Sequence, residues 1–172
     1  MKLFMLTLVI GCAIASPVAL GALTPAPLLN TRQTSSCDAV KVAQLSGGIQ
    51  ANLDVQKDEL AGIKDLQSIE ATNSTASASN FAAQRLKVLA IQQQGIDIRA
   101  MNQAIAGEIK SPATDGLNTV QGAQVLEMRQ VMELTGVAKS DEPIFQLLVK
   151  EVQDGTKQNQ ANLAAAEGQC KK

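Results

Sequence analysis

The sequence predicts an all-α protein: an up-down-up-down four-helix bundle with its termini at one pole, joined by a disulfide. Apolar residues recur at helical spacing in long stretches, and no stretch alternates apolar with polar residues as a half-buried strand would. Ala, Gln, Leu and Ile dominate the composition, and Ala, Leu and Gln lose little on entering a helix. Cys37 and Cys170 bracket everything that reads as folded. In an oxidising compartment such a pair reads as a disulfide. An even number of antiparallel helices returns the chain to its starting pole, where these cysteines must lie to bond.

Residues 1–21 read as a secretory signal. Lys2 supplies the positive start, and the apolar run Leu3–Ala15 is short for a bilayer span. Ala13-Ile14-Ala15 is a small-x-small cleavage pattern, with Ala19-Leu20-Gly21 as a later option, so cleavage is expected after Ala15 or Gly21. Cys12 leaves with this segment. Residues 22–36 form an expected disordered tether, biased to extended conformations by Pro25 and Pro27. The helical bundle domain is assigned to residues 37–170.

The first helix is expected to open near Cys37, with Ser35 and Ser36 offering a hydroxyl cap and Asp38 an acidic first turn. Val42, Leu45, Ile49, Leu53, Leu60 and Ile63 fall on one face, and Asp54, Asp58 and Asp65 lie opposite. Gly47-Gly48 predicts either a kink or the close approach of a neighbouring helix. The polar stretch 73–79 reads as a loop, and Asn73-Ser74-Thr75 is an N-glycosylation sequon in it.

The second helix, Asn80–Lys110, carries two apolar arcs. Val88, Ile91, Ile98, Met101, Ile105 and Ile109 make one; Leu86, Leu89, Ile96 and Ala100 make the other. Arg85, Gln92, Arg99 and Gln103 form a polar seam between them, expected as a solvated or interhelical strip, with an anion site as the sharper alternative. A bundle gives this helix two neighbours, so Leu86, Leu89 and Ile96 are expected to be covered. Left exposed, they would be a candidate apolar binding face.

Ser111-Pro112 marks a stop and restart. The third helix is expected from Ala113 to Thr135, with Leu117, Val120, Met128, Val131 and Met132 on one face and Gly136 as terminator. Met101, Met128 and Met132 are expected as core filling, with an adaptable binding surface as the alternative. The fourth helix opens at Ser140-Asp141-Glu142-Pro143 and places Ile144, Phe145, Leu148, Val149, Val152, Leu163 and Ala166 on one side. The tetrad Gln50-Ala51-Asn52-Leu53 recurs as Gln160-Ala161-Asn162-Leu163, but in a chain so rich in Gln and Ala it implies no duplicated domain.

Catalytic constellations are missing from the sequence. The chain has no His, which removes the Ser-His-Asp and Cys-His arrangements and the commonest metal ligand. No cysteine cluster has zinc spacing, and no phosphate-binding or dinucleotide glycine motif occurs. Asp54 and Asp58 stand a helical turn apart on a polar face and read as solvated surface rather than a glycosidase pair. The expectation is a non-enzymatic protein with no catalytic residues, no cofactor and no metal. The balance of 15 Lys plus Arg against 16 Asp plus Glu argues against a nucleic-acid partner. Expected partners are a lipid or hydrophobic surface, or an extracellular protein, and the chain is not read as an integral membrane protein.

The signal segment, CDAVKVAQLSGGIQANLDVQ, GIDIRAMNQAIAG and the closing QNQANLAAAEGQC together resemble the small secreted proteins of filamentous ascomycete fungi. More loosely they resemble the hydrophobic-surface-binding protein A and cell-wall mannoprotein group. The first resemblance implies an extracellular or wall-associated helical protein, and the second implies binding to hydrophobic surfaces or lipids. No site motif of either group can be matched to residues here.

Overall fold

Residues 37–72 and 77–171 are described by the computed structural model of the chain, and all fall within one compact unit. The proposed signal, the tether and the Asn73 sequon lie outside the described residues. Four helices follow in order: α1 (Ala39–Ala71), α2 (Ser77–Glu108), α3 (Thr114–Glu133) and α4 (Ala138–Gly168). Helix α1 packs on α2 and α4, and α3 packs on the same two, while the diagonal pairs make no backbone contact. That is the square, up-down-up-down bundle.

The helix ends are built by fewer caps than the sequence suggests. Asp38 caps α1, its carboxylate accepting from the Lys41 N–H at 3.1 Å. Helix α2 begins at Ser77, three residues before the expected Asn80. The α2–α3 turn reverses through Lys110 at φ 49°, and the Ser111 hydroxyl accepts from Ala113 N–H at 3.3 Å. At the α3–α4 turn Gly136 takes φ 82°, in the left-handed region that favours glycine. The expected cap Ser140 is instead inside α4, which starts at Ala138. The turn is held by Asp141, whose carboxylate accepts from Thr135 N–H at 2.8 Å, Gly136 N–H at 2.7 Å and Thr135 Oγ1 at 2.9 Å.

Buried positions repeat every seven residues, the 3.5-residue register of helices that supercoil left-handed. On α1 the series Val42, Ile49, Gln56, Ile63, Glu70 alternates with Leu45, Asn52, Glu59, Leu66. On α2 the seam runs Phe81, Val88, Gln92, Gly95, Arg99, Asn102, Ala106. On α3 it is Leu117, Val120, Gln124, Glu127, Val131, and on α4 Asp141, Phe145, Leu148, Val152, Gly155, Asn159, Asn162, Ala166.

The apolar part of this core is divided. One cluster holds Ile63, Leu66, Phe81, Val88, Val131, Leu134, Phe145, Leu148 and Val152. The other, toward the cysteine pole, holds Leu45, Ile49, Ala106, Ala113, Leu117 and Ala166. At that pole Cys37 and Cys170 form a disulfide with their Cα atoms 5.6 Å apart. Lys41 and Glu108 pair across α1 and α2, and Gln169 Nε2 donates to the Ile109 carbonyl at 3.1 Å. Among the described residues, no helix is long and apolar enough to cross a membrane.

Candidate functional site

Between the two apolar clusters lies a polar waist. Asn52, Gln56, Glu59, Gln92, Arg99, Asn102, Gln124, Glu127, Asn159 and Asn162 are each no more than 2% exposed. They occupy the same seven-residue register as the apolar residues above and below. Burying so many polar groups is unfavourable unless they are bonded. Asn159 Nδ2 donates to Asn52 Oδ1 at 2.8 Å and to Gln56 Oε1 at 3.0 Å, joining α4 to α1. Asn52 Nδ2 donates to the Gly95 carbonyl at 2.9 Å, and Gln92 Nε2 to Glu59 Oε1 at 2.8 Å, joining α1 to α2. The Arg99 guanidinium donates to Asn52 Oδ1 at 3.0 Å and to the Val120 carbonyl at 3.3 Å, tying in α3.

Each helix contributes one glycine that receives an amide side chain from the next. A Cβ on Gly48 would collide with the Asn102 amide, and one on Gly116 with the Asn162 amide. A Cβ on Gly95 would lie 2.9 Å from Gln124 Nε2, and one on Gly155 2.9 Å from Gln56 Nε2. The four pairs span all four helix–helix interfaces in cyclic order, so large and small residues alternate around the waist. Gly48 thus marks a close approach, and α1 runs unbroken through Gly47-Gly48.

The charges of the waist perturb one another. Burial raises the Glu59 carboxyl, against the Gln92 hydrogen bond and the Arg99 charge, which lower it. Glu127 is pushed up to about 8 by burial and by the charges of Glu59 and Glu151, opposed by Arg99. Burial lowers Arg99 to about 10, against the two glutamates. At the opposite end from the cysteines, Glu70 is raised to about 8 by burial, by its hydrogen bond with Asp141 and by the charges of Asp141 and Glu142.

On the outside, α1 and α4 leave a groove of about 700 Å³ whose apolar lining is Leu53, Leu60, Leu163 and Ala164, with Lys57 and Lys157 among its polar lining. Leu53 and Leu60 belong to the apolar arc expected to be core. They are half-buried, because the buried register drifts past them toward Gln56 and Glu59. Both copies of the QANL tetrad meet here. Gln50, Leu53, Gln160 and Leu163 line the groove, while Asn52 and Asn162 enter the waist behind it. The helices are antiparallel, so the copies run in opposite directions along one cleft.

The second helix departs from expectation. The polar seam, not either apolar arc, faces the bundle centre: Gln92 and Arg99 are buried, and the strip is interhelical. Leu89 and Ile96 are half-buried, but Leu86 is 67% exposed, so the expected coverage of Leu86, Leu89 and Ile96 fails at Leu86. The cause is geometric. The seam claims Phe81, Arg85 and Val88, and Leu86 lies on the outside of that turn. Met101 and Met132, expected in the core, are 59% and 54% exposed. Val125 is also exposed. It lines, with Ile96, Arg99, Ala100, Gln103 and Gln121, a cleft of about 70 Å³ between α2 and α3.

Among the described residues no group of His, Cys, Asp and Glu could hold a metal ion. The apolar periodicity gave no sign of the waist; continuing the seven-residue register through Gln, Asn, Glu and Gly would have found it. No protein-family model, no curated protein and no solved structure matches the chain.

Proposed function

We propose that this chain is a secreted, non-enzymatic helical protein that binds an apolar or lipid-like ligand in the α1/α4 groove, at the cell wall or in the surrounding medium. The observation that carries the reading is the groove itself, about 700 Å³ with three leucine side chains in its lining. Small-molecule sites are concave, mainly apolar and of this size range, with a few polar groups fixing orientation. The signal-like N-terminus, the resemblance to fungal small secreted proteins and the want of any catalytic triad agree with it.

The test is displacement of a polarity-sensitive fluorophore by long-chain lipids. Leu53→Glu, which places a carboxylate in the groove lining, is expected to weaken lipid binding at least tenfold, about 1.4 kcal/mol. Equal binding by the variant would exclude the groove. A second reading, docking of an extracellular protein or adsorption to an apolar surface, is favoured by the exposed Leu86, Val125 and Met132 on α2 and α3. Leu86→Asp would then abolish adsorption while leaving lipid displacement unchanged.

A further inference from the structure

We infer that the polar waist is a proton latch: a proton held on Glu127 closes the bundle there, and its loss lets α3 loosen from its neighbours.

The geometry carries this. Glu127 is 2% exposed in the α3 seam. The charged groups acting on it come from each of the other helices: Glu59 of α1, Arg99 of α2 and Glu151 of α4. One guanidinium therefore stands against the two seam carboxylates, with Glu151 a further acid acting on Glu127. Arg99 already spends two donors on Asn52 and the Val120 carbonyl, and its Nε has no partner. Neighbouring groups of both kinds are also unmatched. Glu59 Oε2, Gln92 Oε1, Gln124 Oε1 and Glu151 Oε2 are buried without hydrogen bonds, as are the donors Asn102 Nδ2 and Gln124 Nε2. With both seam glutamates ionised against one guanidinium, the waist carries one negative charge too many. A proton on Glu127 removes that charge, and the neutral carboxyl then donates one hydrogen bond.

The alternative, a bound cation, has little room. The spaces opened by Gly95 and Gly155 are taken up by the Gln124 and Gln56 amides. The inference does not depend on what occupies the α1/α4 groove.

The pH window follows from the direction of the shift. The unfolded chain releases this proton near 4.5 and the folded chain near 8. The stabilisation is complete below about 4.5, is lost progressively as pH rises, and is gone above about 8. Glu70 shifts in the same direction, so the wild-type profile alone does not isolate the waist. Glu127→Gln does, because the amide has nearly the shape of the protonated acid and cannot ionise.

The test compares the two full-length proteins between pH 4.5 and 9. At pH 5 their melting temperatures are expected to agree within a few degrees. At pH 8.5 the wild type is expected to melt at least about 5 °C below Glu127→Gln. Amides of α3 near residue 127 should then exchange at least about tenfold faster in the wild type, with the ratio near one at pH 5. A constant difference at both pH values would overturn the latch. So would a difference erased by replacing sodium with potassium or ammonium at fixed ionic strength, which would mark a cation site. Should Glu127→Gln not fold, the Glu127 carboxyl is followed in the wild type by carbon NMR. A midpoint near 8 supports the latch, and one below 5 overturns it.

Discussion

Asn102 and Gly48 show how closely single residues are fitted at the waist. Asn102 is 2% exposed, and its amide occupies the space where a Cβ on Gly48 would stand. In a helix interior Gly→Ala is normally stabilising, by up to about 1 kcal/mol. Here the sign should reverse. Gly48→Ala forces Asn102 aside in a packed layer, and overpacking of this kind costs roughly 1–3 kcal/mol. Gly47 provides the control on the same turn, since a Cβ there meets nothing within 4 Å. Gly47→Ala should raise the urea midpoint and Gly48→Ala lower it. Asn102→Ala should restore the stability of Gly48→Ala, a coupling that a double-mutant cycle measures. Additive effects would show that the two residues do not compete for one space.

At the scale of the helix, α2 explains why apolar arcs misled. Its apolar side chains flank the seam instead of filling it: Ile91, Ile98 and Ile105 on one side, Leu89 and Ile96 on the other, all half-buried. The seam itself carries Gln92, Gly95, Arg99 and Asn102 at the waist. A helix read only for its apolar face is thus rotated away from its true contact. Arg99 is the residue that makes the arrangement tolerable, since it bonds to α1 and α3 and faces two buried glutamates. Arg99→Leu removes the positive charge beside Glu59 and Glu127 and the bonds to Asn52 Oδ1 and the Val120 carbonyl, leaving Asn52 Oδ1 only Asn159 and Glu59 only Gln92. Removing one partner from a buried ionic group costs roughly 3–5 kcal/mol. The expected result is that loss at pH 9, above the range in which Glu127 holds its proton, and a smaller one at pH 4.5, where protonation neutralises the carboxyl. A chemical-denaturation series at the two pH values measures it; a pH-independent loss would assign the effect to packing alone.

For the whole molecule, the disulfide and the waist act on different states. The Cys37–Cys170 bond closes a loop spanning 133 residues. In the chain-entropy model such a loop stabilises by roughly 5 kcal/mol, by restricting the unfolded chain. Cys37→Ser with Cys170→Ser should lower unfolding free energy by about that amount and leave the helical circular-dichroism signal unchanged below the transition. A loss under about 1 kcal/mol would mean that the pole is held by its other contacts, such as Lys41 with Glu108 and Gln169 with the Ile109 carbonyl. The waist, by contrast, acts on the folded state. Two apolar clusters separated by a bonded polar band do not slide past each other without breaking hydrogen bonds, so the band fixes helix register.

The sequence by itself determined the helix number, the approximate ends and the cysteine pairing. Those rest on local signals: Pro112 and Gly136 at the turns, long runs without strand alternation, and two cysteines whose positions suit only one pole. It also marked Val42, Leu45, Ile49, Phe145, Leu148 and Val152 as core, and they are buried. Only the tertiary structure decided that Gln92, Arg99 and Glu127 face inward while Leu86 and Met132 face out. A polar side chain carries no sign of burial in its own identity. Its cost is cancelled by partners on other helices, such as Asn159 reaching Asn52 across 107 positions of chain. The α1/α4 groove is likewise a property of two distant segments. Leu53 and Leu163 become one surface because their helices run antiparallel at the same level of the bundle.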